Sequence, residues 1–416
     1  MNNVSLIHRY MLCILPLCML TGPFLPDLII SLSALIFIYL SISRKKYEYL
    51  KSTYFLLFIS WWLIIVISSL LSINPTFSLE SSFFYFRFGL FVLSVWYIFD
   101  HDDQIIKYFT YSFGLVFIFI IIDGFFQYIT GYNFLGYPYQ SNYSRLSGIF
   151  NEKWFLGGFL SKNLPILLAL IIMYFGNSKV INSSITLLIV STVLLTFLTG
   201  ERSAFISIVI FLFLIMVLLN KWQKIRIITL LLSILMVLVI TFSDTKIKER
   251  MFSSTINQIN IFSENYVPDH ELLFKSAIQM FKSSPLIGNG PKMFRKLCSD
   301  EKYYFEFESY NSCSTHPHQT YLQLLAETGL IGTIPIIFLF FYISWTLLYH
   351  LFQKTVSNRQ IKMNDAQILL FIAIFITLWP INVNLNFFGN WISVIYFLPI
   401  GILLSLCNKN TKIKSV

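Results

Sequence analysis

Charged residues are scarce in this sequence. Asp, Glu, Lys and Arg make up 12% of the 416 residues, whereas apolar residues make up 56%. A soluble globular domain has about twice that share of charged residues, because water must hydrate its surface. The low charge content therefore excludes a soluble domain and predicts an all-α integral membrane protein.

Several kinds of catalytic motif are also missing. The sequence has no acidic pair spaced for a divalent metal, no phosphate-binding Walker loop and no Ser-His-Asp order like that of known hydrolases. We therefore expect neither a metal nor a cofactor. The energy for any reaction must then come from the substrate.

Cysteine is infrequent, with five residues in the chain. Cys13, Cys18 and Cys407 lie in apolar segments, whereas Cys298 and Cys313 share the one long polar stretch. We hypothesise a disulfide between this second pair, which in an oxidising compartment would add on the order of 3 kcal/mol of local order.

Apolar runs long enough to cross a hydrocarbon layer are abundant, and they predict about twelve transmembrane helices. The runs lie at 6–22, 27–43, 53–72, 82–99, 105–129, 154–175, 182–199, 203–219, 227–242, 329–350, 366–381 and 388–407. The first is interpreted as an uncleaved helix, because no small-x-small cleavage site follows it.

The positions of the cations predict the orientation. The net charge is +10, and short loops between the apolar runs carry clusters of Lys and Arg at 44–51, 221–226, 354–362 and 409–414. This distribution is typical of membrane topology and not of a nucleic-acid binder. Placing every cluster in the cytoplasm puts both termini there and leaves the polar stretch Ser243 to Pro317 outside.

The chain is predicted to form one integrated domain with three parts. Residues 1–242 carry transmembrane helices 1 to 9, residues 243–317 form one long, partly helical external loop, and residues 318–416 carry a re-entry helix and helices 10 to 12. Within the loop, Asp269 to Lys282 has apolar residues at helical spacing. It predicts an amphipathic helix lying on the membrane surface.

The sharpest motif lies where the long loop returns to the membrane. His318-Gln319 is followed by nine residues and then Gly329-x-x-Gly332. Pro317 is predicted as the first residue of a helix, so that His318 lies at a positive helix end, which favours a neutral imidazole and attracts anions. A neutral His can act as a general base on a sugar hydroxyl. The alternative is that His316 and His318 only cap the helix.

This pattern resembles the signature of the O-antigen ligase and polymerase superfamily. Pro285 to Phe294 resembles an external-loop segment of that group, and Thr199 to Ala204 an outer helix junction. The resemblance implies an inverting, metal-independent, GT-C-like membrane glycosyltransferase in the inner membrane of a Gram-negative bacterium, with its active site on the periplasmic face. It also implies an undecaprenyl-diphosphate-linked glycan donor, membrane lipids as partners, and lipid A-core or a second lipid-linked glycan as acceptor.

A diphosphate leaving group must be bound by cations, and Arg binds phosphate bidentately without losing its proton. We predict His318 and Arg202 as the catalytic pair. The other candidates, for binding diphosphate or glycan, are Arg87, Arg145, Arg250, Arg295, His316, Gln319 and Tyr321, with Lys162 a weaker one.

Structural alternatives exist for these cations. Arg202 can pair with Glu201, and loop arginines can simply meet solvent or lipid head groups. Arg87 lies inside the fourth predicted span, where an unpaired cation costs at least about 2.5 kcal/mol. Its candidate counter-ions are Asp123 and Glu80.

Four functions remain open from the sequence. An O-antigen ligase acting on lipid A-core is the first hypothesis, and a polymerase of lipid-linked repeat units is the second. A protein oligosaccharyltransferase would use the same chemistry. A flippase for lipid-linked sugars also suits many spans with buried cations, but no symmetric halves or paired broken helices are evident in the sequence.

Overall fold

The computed structural model describes residues 3–140, 145–151, 153–176, 179–253, 269–307, 310–356 and 363–414. These residues are mostly helical, with a two-stranded hairpin of β1 (Glu306–Phe307) and β2 (Tyr310–Asn311). The helices are α1 Asn3–Cys18, α2 Phe24–Ser43, α3 Thr53–Leu70, α4 Pro75–Ser82, α5 Phe86–His101, α6 Ile105–Thr130, α7 Leu156–Phe175, α8 Lys179–Leu198, α9 Arg202–Leu218, α10 Gln223–Ser243, α11 Thr245–Lys248, α12 Asp269–Ser283, α13 Phe294–Leu297, α14 Thr320–Val356, α15 Asp365–Thr377 and α16 Asn390–Lys414. Short 3-10 turns lie at Phe83–Tyr85 and Gly148–Phe150, and a π-helical turn at Glu249–Ser253.

Eight helical stretches in the described residues are long and apolar enough to cross a membrane. They are Phe24–Ser43, Thr53–Leu70, Pro75–His101, Ile105–Thr130, Leu156–Phe175, Gln223–Ser243, Thr320–Val356 and Asn390–Lys409. Four shorter apolar helices are Asn3–Cys18, Asn182–Leu198, Arg202–Leu218 and Asp365–Thr377. The helical membrane class is confirmed, whereas the count of about twelve crossings stays a prediction.

Helix α7 lies at the centre of a group of other helices. It packs against α6, α8, α9 and α15. Its residues from Leu156 to Leu170 are almost all buried, including the polar Ser161, Lys162 and Asn163. Polar side chains enclosed by protein at this depth need partners within the bundle, so α7 is the element on which a buried polar site can be built.

The predicted helix at 269–282 is present as α12, but its apolar face does not lie on a membrane surface. Leu273, Ala277 and Met280 pack in one cluster with Phe294 of α13 and Ala326 of α14. The helix is amphipathic as predicted, and its apolar face packs against other parts of the protein. Helix α12 is therefore docked onto the start of α14.

A short segment after α12 inserts into a break in α14. The backbone N–H groups of Leu330 and Ile331 donate to the carbonyls of Pro285 (2.8 Å) and Leu286 (3.1 Å), and the N–H of Gly290 donates to the carbonyl of Glu327 (2.8 Å). The break is at Gly329, whose φ is 62° and ψ −166°. We call residues 285–290 the wedge.

The two motif segments of the sequence are thus locked together by their backbones. A Cβ at Gly329 would lie 2.4 Å from the backbone of Leu286, and one at Gly288 would lie 2.4 Å from the backbone of Glu327 and Thr328. Both positions have positive φ, which glycine adopts without steric cost. Backbone packing therefore requires glycine at positions 288 and 329, whether or not these motifs take part in a reaction.

Cys298 and Cys313 form the hypothesised disulfide, with their Cα atoms 5.1 Å apart. The bond fixes Cys313, five residues before His318. Replacing both cysteines with serine should remove on the order of 3 kcal/mol of stability, because the closed loop spans fifteen residues. Thermal unfolding of the purified protein measures this loss, and Cys407→Ser, on α16, is the control.

Thiol counting tests the same bond. Denatured but unreduced protein should react at Cys13, Cys18 and Cys407, whose thiols form no disulfide, and reduced protein should react at all five cysteines. Equal labelling before and after reduction would contradict the disulfide.

Candidate active site

A cavity of about 860 Å³ opens between α7, the start of α9 and the non-helical stretch that joins α15 to α16. Its walls include three of the predicted arginines, Arg145, Arg202 and Arg250, together with His318. Lys162 of α7 also lines it. Predicted site residues separated by up to 173 positions in the sequence, Arg145 and His318, therefore meet in one cavity.

His318 lies before α14 and not in its first turn, so the prediction that Pro317 begins the helix is wrong. The helix begins at Thr320, and the side chain of Gln319 caps it by accepting the N–H of Leu322 (2.5 Å). His318 instead has a φ of 59°, in the left-handed region that few non-glycine residues adopt. Such a conformation persists only where the surroundings hold it, and residues that keep one cluster at functional sites.

Burial and, to a smaller extent, the nearby His270 lower the pKa of His318 to about 4, against the opposing effect of a hydrogen bond with Asn384. The two imidazole rings are 5.4 Å apart. His318 is therefore neutral at neutral pH and able to accept a proton. An anion bound in the cavity would raise this pKa and make the imidazole a stronger base.

His316 has a different environment. It is buried, and its Nε2 lies 3.1 Å from the carbonyl oxygen of Asn384, while Nδ1 lies 2.9 Å from the hydroxyl of Thr315. Burial, followed by the neighbouring His318, lowers its pKa to about 3. As a neutral donor, its Nε2–H holds the chain next to the cavity. The alternative that His316 and His318 cap the helix is wrong, because the side chain of Gln319 caps it.

The three arginines of the cavity come from separate elements. Arg202 is the first residue of α9, Arg250 lies in the π-helical turn, and the Arg145 guanidinium stacks over the Trp154 ring at 4.3 Å. Burial lowers the pKa of Arg145, and the charge of Glu201 opposes this effect. Several guanidinium groups around one cavity concentrate positive potential where an anion can bind.

Glu201 was not among the predicted site residues, yet it lines the cavity. Its carboxylate accepts the N–H groups of Gly157 (2.8 Å) and Gly158 (3.1 Å) at the start of α7. Burial raises its pKa to about 7. Glu201 therefore serves as a cap of α7, a role that its position next to Arg202 in the sequence did not indicate.

Arg87 is placed outside this constellation. It forms an ion pair with Asp27 (2.6 Å) and donates to the side-chain oxygen of Asn390 (3.0 Å). The predicted counter-ions were wrong: Asp123 accepts the N–H of Phe134 (2.9 Å), and Glu80 pairs with Lys292. The interaction of Arg87 joins α2, α5 and α16.

The remaining predicted residues, Arg295, Gln319 and Tyr321, do not line the cavity. Arg295 is exposed on α13, and its charge contributes to lowering the pKa of His316. Gln319 donates to the carbonyl of Pro380 (2.7 Å), and the Tyr321 hydroxyl to that of Leu378 (2.7 Å). These two side chains fasten the start of α14 to the end of α15.

Sequence reasoning also missed the stretch between α15 and α16. Asn382 and Asn384 are both buried and both line the cavity. An Asn-x-Asn pair between two apolar helices was the available signal, and it carries no indication of its partners. Within the part of the chain that the structure describes, no group of three or more His, Cys, Asp or Glu side chains is arranged to hold a metal ion.

Comparison with known protein families agrees with the motif. Residues 186–337 match the family model described as O-antigen ligase. The matched range contains Arg202, Arg250, the wedge and His318, so the predicted resemblance is confirmed. No curated protein matches the chain. The match indicates a glycan-transferring membrane enzyme of the O-antigen ligase and polymerase kind, with lipid-linked glycans and membrane lipids as partners.

Proposed function

We propose that this chain, whose residues 186–337 match the O-antigen ligase family, moves a glycan from undecaprenyl diphosphate to the lipid A-core of lipopolysaccharide. The observation that carries the proposal is the cavity in which His318 meets Arg145, Arg202 and Arg250. A neutral base beside several fixed cations suits a reaction that deprotonates a hydroxyl and releases a diphosphate.

In the proposed reaction, a hydroxyl oxygen of the acceptor attacks the anomeric carbon of the donor sugar. The bond from that carbon to the diphosphate oxygen breaks, and undecaprenyl diphosphate leaves with its electron pair. The hydroxyl proton passes to His318. Attack from the side opposite the leaving group inverts the anomeric carbon.

The arginines act on the leaving group. Charge grows on the diphosphate as its bond to the sugar breaks, and guanidinium groups already in place stabilise that charge without rearranging. Arg202 is the leading candidate, because it is also at the N-terminus of α9, where the helix dipole favours anions. Arg145 and Arg250 complete the anion site.

The proposal includes a topology. Both termini lie in the cytoplasm, the cavity faces the periplasm, and the protein lies in a Gram-negative inner membrane. Residues 1–242, 243–317 and 318–416 then act as one integrated domain, with the external part joined to the bundle through the wedge.

A transfer assay with purified protein tests the function. Protein in detergent is incubated with undecaprenyl-diphosphate-linked glycan and either lipid A-core or a second lipid-linked repeat unit. We expect product on lipid A-core and release of undecaprenyl diphosphate, without added metal. Product only on the lipid-linked acceptor would replace the ligase with a polymerase.

Two other outcomes would replace the proposal. Transfer only to an added acceptor protein would indicate an oligosaccharyltransferase. A flippase would leave the donor intact in detergent, where no membrane separates two sides. Turnover under those conditions therefore separates an enzyme from a transporter.

A further inference from the structure

Asn384 contacts every second residue of the segment that carries His318. Its N–H donates to the carbonyl of His318 (2.8 Å), and its carbonyl accepts from His316 (3.1 Å). Its side-chain Nδ2 donates to the hydroxyl of Thr320 (3.1 Å), and its Oδ1 accepts from the amine of Lys162 (2.8 Å). One buried side chain and its backbone thus join α7, the start of α14 and the histidine segment.

Lys162 is buried with 7% of its surface exposed, and its hydrogen-bond partner is the neutral amide of Asn384. A buried ammonium is normally paired with a carboxylate. In the described part of the chain, no carboxylate lies within ion-pair distance of Lys162. Glu201, in the same cavity, interacts with Lys162 only through its charge, because both of its oxygens accept the amides of Gly157 and Gly158. The Lys162 amine, held by a neutral side chain, can therefore bind an anion that enters the cavity.

We propose that Asn384 is a positioning residue for the transfer: its side chain presents the Lys162 amine to the diphosphate of the donor, and its backbone holds His318 beside the same site. This inference rests on the proposed function. Because one residue holds both groups, the cation that meets the leaving group and the base that meets the acceptor keep a fixed separation.

The charge of the side chain at position 384, and not only its shape, should affect donor binding. Aspartate has nearly the same size as asparagine and can accept from both Thr320 and Lys162. It would, however, form an ion pair with Lys162 and compete with the diphosphate for that amine. Alanine would only release the amine. Asn384→Asp should therefore weaken donor binding more than Asn384→Ala does.

Steady-state kinetics of the purified transferase test the inference. For Asn384→Ala we expect kcat to fall and the donor KM to rise, each by about tenfold, the loss typical of one hydrogen bond to a charged group. For Asn384→Asp we expect a donor KM about tenfold higher again. The acceptor KM should change less than twofold or so in both variants, because the contacts concern the donor side.

A double-mutant cycle separates positioning from a general structural effect. Lys162→Met alone should raise the donor KM, and adding Asn384→Ala should raise it little further, since the shared partner is already gone. The matched control is Asn163→Ala, the next residue on α7, whose amide donates to the carbonyl of Phe159 (2.9 Å). It should lower thermal stability without changing the donor KM.

Three results would overturn the inference. They are unchanged kinetics for Asn384→Ala, additive effects of Asn384→Ala and Lys162→Met on the donor KM, or Asn384→Asp kinetics equal to wild type. In each, wild-type transfer would leave the proposed function standing. A wild-type protein that transfers nothing would overturn both.

Discussion

His318→Ala should abolish glycan transfer while the protein remains folded in the membrane. Loss of a general base lowers kcat by about a hundredfold to ten-thousandfold. His318 lines the cavity, and its pKa of about 4 keeps it neutral and able to accept a proton. His101→Ala, at the end of α5, is the control and should transfer normally.

The pH profile gives a second measurement on the same residue. The pKa of His318 is depressed, so the free enzyme should keep its base above about pH 4 and lose kcat/KM as the pH falls through that value. Bound diphosphate raises the pKa of a neighbouring imidazole, so kcat should begin to fall at a higher pH than kcat/KM. Normal transfer by His318→Ala, or identical pH profiles for the two parameters, would contradict the assignment.

Gly329→Ala should cost several kcal/mol of stability and remove activity with it. The new Cβ would lie 2.4 Å from backbone atoms of Leu286, which cannot rotate away as a side chain can. Overpacking typically costs about 1 to 3 kcal/mol, and an alanine held at a φ of 62° and a ψ of −166°, a conformation that essentially only glycine adopts, adds roughly 1 to 3 kcal/mol. Thermal unfolding and chromatographic homogeneity in detergent measure the result.

Gly288→Ala should behave in the same way, because its Cβ would meet the backbone of Glu327 and Thr328 at 2.4 Å. Gly114→Ala is the matched control. Its new Cβ would have the side chain of Leu167 at 4.0 Å as its nearest neighbour, an ordinary contact, and alanine suits a helix better than glycine. A Gly329→Ala protein as stable as wild type would show that the wedge is not required.

Local patterns in the sequence predicted the local parts of the structure. Apolar runs placed most of the helices within a few residues, as at 105–129 for α6, because their composition reflects the surrounding lipid. The spacing from His318 to Gly332 pointed to a segment whose first residue, His318, lines the cavity. The start of α14 was misplaced because proline at a helix start is only a preference, and here Gln319 provides the cap.

Long-range partners could not be predicted. Arg87 binds Asp27, sixty residues earlier, and Lys162 binds Asn384, 222 residues later. Neither pair has a signal in spacing, since the contact depends on how the helices pack. The apolar face of α12 illustrates the same limit: its periodicity indicated that something apolar covers it, but not whether that is lipid or protein.

The interlocking of the wedge with α14 restricts how residues 269–317 can be exchanged. A chimera that takes residues 269–317 from another protein would bring a foreign backbone into a notch shaped by Ala326, Glu327, Leu330 and Ile331. Grafts should therefore succeed only when donor sequence continues through Gly332. Residues 269–317 and the start of α14 would therefore have to be exchanged together, in evolution as in protein engineering.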